Sequence, residues 1–338
     1  MTGSFSDLID LASERMGGAV VVANDEFFAA RDRLVIGAAA VWREGEYTER
    51  GKWMDGWETR RRREVDNESH DWCVIRLGAP GIVRGVDVDT SFFTGNYPAS
   101  CAIDACALPG LPTPEELTAA ALPLLLPRTP LTGDTHNLFE VSNAPAATHL
   151  RLRIFPDGGV ARLRVYGEAV ADWERLRLRG DVDLAAAQHG GVVVACSDMF
   201  FGSRHNLIMP GDATHMGDGW ETKRRRGAGH DWTIVRLGAR GTIRRVEVDT
   251  RHFKGNAPGA CSLDAFDGDE AGALRHADAG AEQWKALLTR TPLQPHARHT
   301  FEDTVVNLGD VTHVRFNIFP DGGVGRLRLF GRPWASKT

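Results

Sequence analysis

Motifs from the first half of this chain return in the same order in the second, which restricts the fold to two copies of one unit. Asp10-Leu11-Ala12 returns as Asp183-Leu184-Ala185, and Asp25-Glu26-Phe27-Phe28 as Asp198-Met199-Phe200-Phe201. Asp55-Gly56-Trp57-Glu58-Thr59, with its basic run Arg60 to Arg63, returns as Asp218 to Thr222 with Lys223 to Arg226. His70-Asp71-Trp72 returns as His230-Asp231-Trp232, Gly95-Asn96 as Gly255-Asn256, and Arg128-Thr129-Pro130-Leu131 as Arg290 to Leu293. Phe155-Pro156-Asp157-Gly158-Gly159 returns as Phe319 to Gly323. Phe28 and Phe201 are 173 positions apart but Asp55 and Asp218 only 163, so the first copy carries about ten extra residues within Val35 to Met54. Insertions of that kind belong in surface loops. Two units of about 150 residues each are too long and too few for a solenoid. A tandem duplication is expected, with domains at 1–172 and 173–338 and the linker near Ala169 to Arg179.

Each copy reads mostly as strand. Val20 to Ala23 is a short apolar run, and Val83 to Phe93 alternates in part, with Val86 and Val88 on one face and Asp87 and Asp89 on the other. Leu150, Leu152 and Ile154 alternate with Arg151 and Arg153, which is period two. In Ala161 to Tyr166, Leu163 and Val165 point inward and Arg162 and Arg164 outward. Between these runs, Pro156-Asp157-Gly158-Gly159 has turn chemistry, since proline presets φ and glycine supplies positive φ. A hairpin of the two runs is expected in each copy. Helical patterning is confined to Glu115–Leu122 and Glu282–Leu288. Many short strands and few helices predict an all-β protein, a duplicated jelly-roll β-sandwich with few short helices.

Composition narrows the function. A net charge of −5 and a pI near 6.2 give no pull toward nucleic acid or an anionic membrane. No apolar run approaches the roughly 18 residues of a membrane span. Met1 to Met16 lacks the basic-then-apolar order of a secretory leader, so a cytoplasmic protein is expected. The five cysteines are odd in number and form no Cys-x-x-Cys pair, which reads as free thiols in a reducing compartment. No Gly-x-Gly-x-x-Gly, Walker, Gly-x-Ser-x-Gly or His-Glu-x-x-His pattern is present. His296 and His299 have no counterpart pair in the first copy, so tightly bound zinc is not expected. The residues require no cofactor and leave room for a loosely bound divalent ion on carboxylate oxygens.

The densest chemistry lies in Gly51 to Arg63, where two tryptophans, two carboxylates and five cations share thirteen residues. Glu58 and Glu64 flank the arginine run, which argues against a nucleic-acid patch. The Trp and Gly suit a packed turn, but a core has no need of the acids and arginines. Arginine forks match carboxylates and planar polar ligands. Candidate proton-transfer residues are Asp55, Glu58, His70 and Asp71; neighbours on a strand point opposite ways, so Asp71 need not touch His70. Candidate ligand contacts are Lys52, Trp57, Arg61, Arg62, Arg63, Asp89, Asn96, Asp157 and Arg162. A possible second site comprises Asp218, Glu221, Arg224, His230 and Asp231.

These residues carry a resemblance. Tyr47, Gly51 to Arg61, Asp71-Trp72-Cys73, Arg76-Leu77-Gly78, Val88-Asp89-Thr90, Phe92-Phe93 and Gly95-Asn96 resemble the allantoicase family, as do Leu8 to Ser13 and Asp25 to Phe28. The resemblance spans both copies. It implies a repeated jelly roll, a hydrolase converting allantoate to ureidoglycolate and urea in purine degradation, and a homo-oligomer. The second copy departs by having His215 and Met216 where Lys52 and Trp53 stand. Two other readings stand beside it: a non-catalytic jelly roll binding carbohydrate or a small anion, and a second copy that is mainly structural.

Overall fold

The computed structural model describes residues 4–63, 66–277 and 283–334. The chain forms two compact units that divide between Val170 and Ala171, each a jelly-roll-like sandwich with an eight-stranded sheet system.

The organising element of the first unit is one long strand, Asp71–Asp89. Its first half pairs with Ala19–Ala23 and with Ala146–Phe155, and its second half with His136–Glu140 and Arg162–Ala169. Ser100–Cys106 and Leu124–Pro130 continue outward from Ala146–Phe155. The register breaks between Arg76 and Gly81, so the strand serves one layer of the sandwich with each half. Asp231–Asp249 does the same in the second unit. The strand alternates as expected around Val86 and Val88 but is longer than the Val83-to-Phe93 reading and stops at Asp89. Phe92 already turns, with a left-handed φ of 69°.

Two expectations are corrected. The runs around Leu150–Ile154 and Leu163–Val165 do not form a hairpin: both pair with the long strand, which lies between them in the sheet order. The turn Pro156–Gly159 therefore carries the chain from one layer to the other. The helix expected at Glu282–Leu288 is strand over Lys285–Pro292, and its helix falls earlier, at Glu270–Arg275; Glu282 lies outside the described residues. In the first unit the helix Pro114–Ala119 sits where expected, opened by a Thr113–Glu116 capping box that satisfies two amides reciprocally.

The core is the alternating apolar set of these strands, including Val86, Val88, Leu150, Leu152, Leu163 and Val165, all fully buried. Trp57 and Trp220 are sealed within their units, and each indole N–H donates to a backbone carbonyl, Asp25 and Asp198 respectively, at 2.8 Å. Gly159 allows close packing: a Cβ there would stand 1.9 Å from the Phe93 ring. The extra residues of the first copy form an exposed loop with a two-residue ladder, Tyr47–Thr48 against Gly51–Lys52. Cys73, Cys101 and Cys261 are buried free thiols, and burial pushes Cys101 and Cys261 up to about 12.

Candidate functional site

In the first unit, residues 55–62 run antiparallel beside 157–162 like a zipper. Arg62 N–H donates to Asp157 Oδ2 at 2.8 Å, Thr59 N–H to Gly158 O at 3.1 Å, and Glu58 and Trp57 face Gly159 and Val160. At the far end, Arg162 donates to Asp55 Oδ2 at 2.9 Å and to Asp55 O at 3.1 Å. Sequence neighbours are thus distributed along an edge of the sandwich, and their environments set them apart.

One group, partly exposed to solvent, gathers around the Phe155–Gly159 turn. Asn96 Nδ2 donates to Glu58 Oε1 at 2.8 Å. Burial pushes the Glu58 carboxyl up, and the Asn96 hydrogen bond offsets this only in part. Arg62 Nη2 is committed to Asp71 Oδ1 at 2.5 Å and to the His70 carbonyl at 2.7 Å, and Asn24 Nδ2 also donates to Asp71 at 2.7 Å. The His70 ring lies 5.1 Å from Phe155, over which also sit the guanidinium groups of Arg128 at 4.2 Å and Arg153 at 5.9 Å. His70 Nδ1 is 2.7 Å from the Glu68 carbonyl, which can only accept; Nδ1 therefore carries a hydrogen, and in the neutral ring the lone pair is on Nε2. Arg61 and Arg63 are exposed, with no side-chain partner among the described residues. Glu64 lies outside those residues.

The other candidates are built into the scaffold. Arg162, expected to point outward, is only 2% exposed because residues 36–42 cover that face; it also donates to Ala38 O. Burial alone would raise the Asp55 carboxyl, but the Arg162 hydrogen bond, the Val41 amide and the charges of Arg162 and Arg33 hold it below the ordinary range. Asp89 is buried and accepts from Ser91 N–H and Oγ. Trp57 lies in the core, where no ligand reaches it. Lys52 is exposed, its ammonium resting over the Trp42 ring at 4.0 Å. His70 and Asp71, adjacent in sequence, take different partners.

A family model, the allantoicase repeat, matches residues 9–170 and again 182–334. A probable allantoicase of Pseudomonas aeruginosa (strain UCBPP-PA14) is 49% identical over 330 residues, 97% of each chain. A probable allantoicase of Photobacterium profundum is 46% identical, again over 97% of each chain. The crystal structure of allantoicase from Saccharomyces cerevisiae superposes with a TM-score of 0.79 at 32% identity, covering 96% of this chain and 92% of that one. The chain belongs to the allantoicase family.

The family's repeat carries the open group in both units. Asn256 donates to Glu221 at 2.6 Å, Arg225 N–H to Asp321 at 2.8 Å, and the Arg225 side chain to Asp231. His230 packs 4.6 Å from Phe319, with Arg290 at 4.1 Å on that ring. Asp218 pairs with buried Arg326 as Asp55 does with Arg162. Sequence reading missed Phe155, Arg128 and their counterparts, although both belong to repeated motifs. It also missed a pair on the Arg164 face of the first unit: His136 Nδ1 meets buried Asp87 Oδ2 at 2.7 Å, across strands 49 positions apart. Burial raises Asp87, partly offset by His136, and the hydrogen bond to Asp87 raises His136. Among the described residues, no three His, Cys, Asp or Glu side chains converge as a metal site.

Proposed function

We propose that this chain is a hydrolase cleaving allantoate to ureidoglycolate and urea, a step of purine and allantoin degradation. The observation that carries the reading is the match of the allantoicase repeat to both halves of the chain, with near-complete coverage of relatives named for that activity. The open group fits the chemistry. Allantoate has one carbon bearing a carboxylate and two ureido nitrogens, and the bond to one nitrogen must break.

Arg61 and Arg63, exposed and without a side-chain partner among the described residues, clamp the carboxylate; Arg62 is held by Asp71 and Asp157 and anchors the segment. Glu58, whose raised carboxyl keeps its proton into a higher pH range, delivers a proton to the departing urea nitrogen. The remaining ureido nitrogen pushes electrons in, giving an imine-like carbon. His70 Nε2 takes a proton from the water that adds there. Asn96 keeps its Oδ1 for a ureido N–H while its Nδ2 holds Glu58.

The reaction is read as running on protein side chains, with any divalent cation only loosely held. Turnover unchanged by EDTA is expected; loss on chelation, restored by a divalent ion, overturns this. The chain is further read as a cytoplasmic homo-oligomer with a small-molecule substrate and no nucleic-acid or membrane partner. In support, no helix among the described residues is long and apolar enough to cross a membrane, and the net charge is −5. Incubating the protein with allantoate and assaying urea tests the activity: release is expected, and no urea together with glycan binding replaces the enzyme with a binding module.

A further inference from the structure

The two units repeat the open group but hold its imidazole by opposite nitrogens. In the first unit His70 is tied through Nδ1 to the Glu68 carbonyl, and its Nε2 has no hydrogen-bond partner among the described residues. In the second, His230 Nε2 lies 3.2 Å from Asn317 Oδ1. The Asn317 amide is oriented by its other end, since Nδ2 lies 3.1 Å from Ser262 Oγ and 2.9 Å from Asp264 Oδ2, and a carboxylate can only accept. The atom facing His230 is therefore the acceptor oxygen, and His230 Nε2 must carry the hydrogen. At the equivalent register the first unit has Arg153, which donates to Asp104 and offers the imidazole no acceptor. One exchange, Arg153 for Asn317, occupies in the second unit the nitrogen that is free in the first.

The rest of the binding frame is kept. Glu221 with Asn256 and Arg225 with Asp231 and Asp321 repeat their counterparts, and Arg224 and Arg226 are exposed as Arg61 and Arg63 are. We propose that the second repeat is a binding site for the same class of ligand, a small carboxylate bearing a ureido group, and that it does not turn the ligand over. This rests on the assignment of the open group in the first repeat as the site of hydrolysis. Recognition needs the arginines and the Glu–Asn pair, which both units have. Water activation needs a free imidazole nitrogen at the Nε2 position, which only the first unit has.

The test is isothermal titration of the full chain with N-carbamoylglycine, which carries a ureido group and a carboxylate on one carbon and has no second ureido group to expel. Two equivalents per chain are expected. Arg224→Ala with Arg226→Ala lowers the stoichiometry to one, and so does Arg61→Ala with Arg63→Ala. His70→Asn loses about a hundredfold or more of allantoate turnover while two equivalents still bind. One equivalent bound by an unsubstituted chain that releases urea overturns the second site. Turnover above about half in His70→Asn overturns its silence. Should the arginine variants fail to fold, the His230 imidazole resonance of the unsubstituted protein decides: it shifts on titration, and an unmoved resonance overturns the proposal. No urea from allantoate in the unsubstituted chain is failure of the functional reading instead, since the titration is read without turnover.

Discussion

Asp55, Glu58, Asp71 and Asp89 are all carboxylates in repeated motifs, and their partners separate them. Asp55 faces a guanidinium that is itself buried, and without it the carboxylate keeps only the Val41 amide and the partly exposed Arg33 at 3.3 Å inside a dry site. Arg162→Met is expected to cost about 3–5 kcal/mol in guanidinium chloride unfolding. Because Asp55 is held below its ordinary value, its contribution is present above about pH 4 and fades as pH falls through the folded value. Glu58 is shifted the other way, as suits a proton donor. Glu58→Gln should lower kcat by about 10²–10⁴ and remove the limb on which activity falls as pH rises. His136 gives an opposite stability signature to Asp55. Its folded value is raised by Asp87, so its stabilisation is full below the unfolded value of about 6.5 and is lost as pH rises through the folded one. The melting-temperature gap between His136→Asn and the unsubstituted chain should be wider near pH 5.5 than near pH 9, and a gap independent of pH would disprove the pairing.

The Phe155–Gly159 turn joins packing to chemistry at the scale of elements. It crosses between layers, its Gly159 lies against the Phe93 ring, and the Glu58 strand pairs along it. Gly159→Ala forces Phe93 or the turn to move and is expected to destabilise by about 1–3 kcal/mol, with Gly323→Ala doing the same against Phe253. Melting curves of the two variants would show it; an unchanged midpoint would mean the turn relaxes freely. Alternation made Leu150–Ile154 and Leu163–Val165 legible as strands, because period two follows from one buried face. Their pairing was not legible. A glycine-rich turn between two strands has the same local chemistry whether it closes a hairpin or crosses a sandwich, and only the long strand between them decides. The stretch around Lys285–Leu288 misled in a similar way, since a short apolar run suits helix and strand alike.

For the whole molecule, the two units carry the same buried ion pair, Asp55–Arg162 and Asp218–Arg326. Arg162 and Arg326 belong to different units, so the double variant Arg162→Met with Arg326→Met should lose the sum of the single losses within about 0.5 kcal/mol. Chemical denaturation checks this, and a clear departure would reveal coupling between the pairs. Duplication also separates shared scaffold from specialised chemistry. Both units keep packing, such as the sealed Trp57 and Trp220, and the Glu–Asn and Arg–Asp contacts; Arg153 against Asn317 is the difference on which the proposed silence of the second site rests.

The sequence by itself determined the duplication, the all-β class, the first copy's extra loop and the membership of one family, because these follow from recurring residues and from local periodicity. It also marked Asp55, Glu58 and the arginine run as residues that a core has no reason to demand. Only the tertiary structure decided which of them are free. Arg162 and Asp55 became scaffold because residues 36–42 cover them, Arg62 became an anchor because Asp71 and Asp157 converge on it, and the two imidazoles took opposite hydrogens. Each outcome depends on a partner distant in the chain, and a side chain's charge state and freedom are properties of that partner as much as of the residue itself.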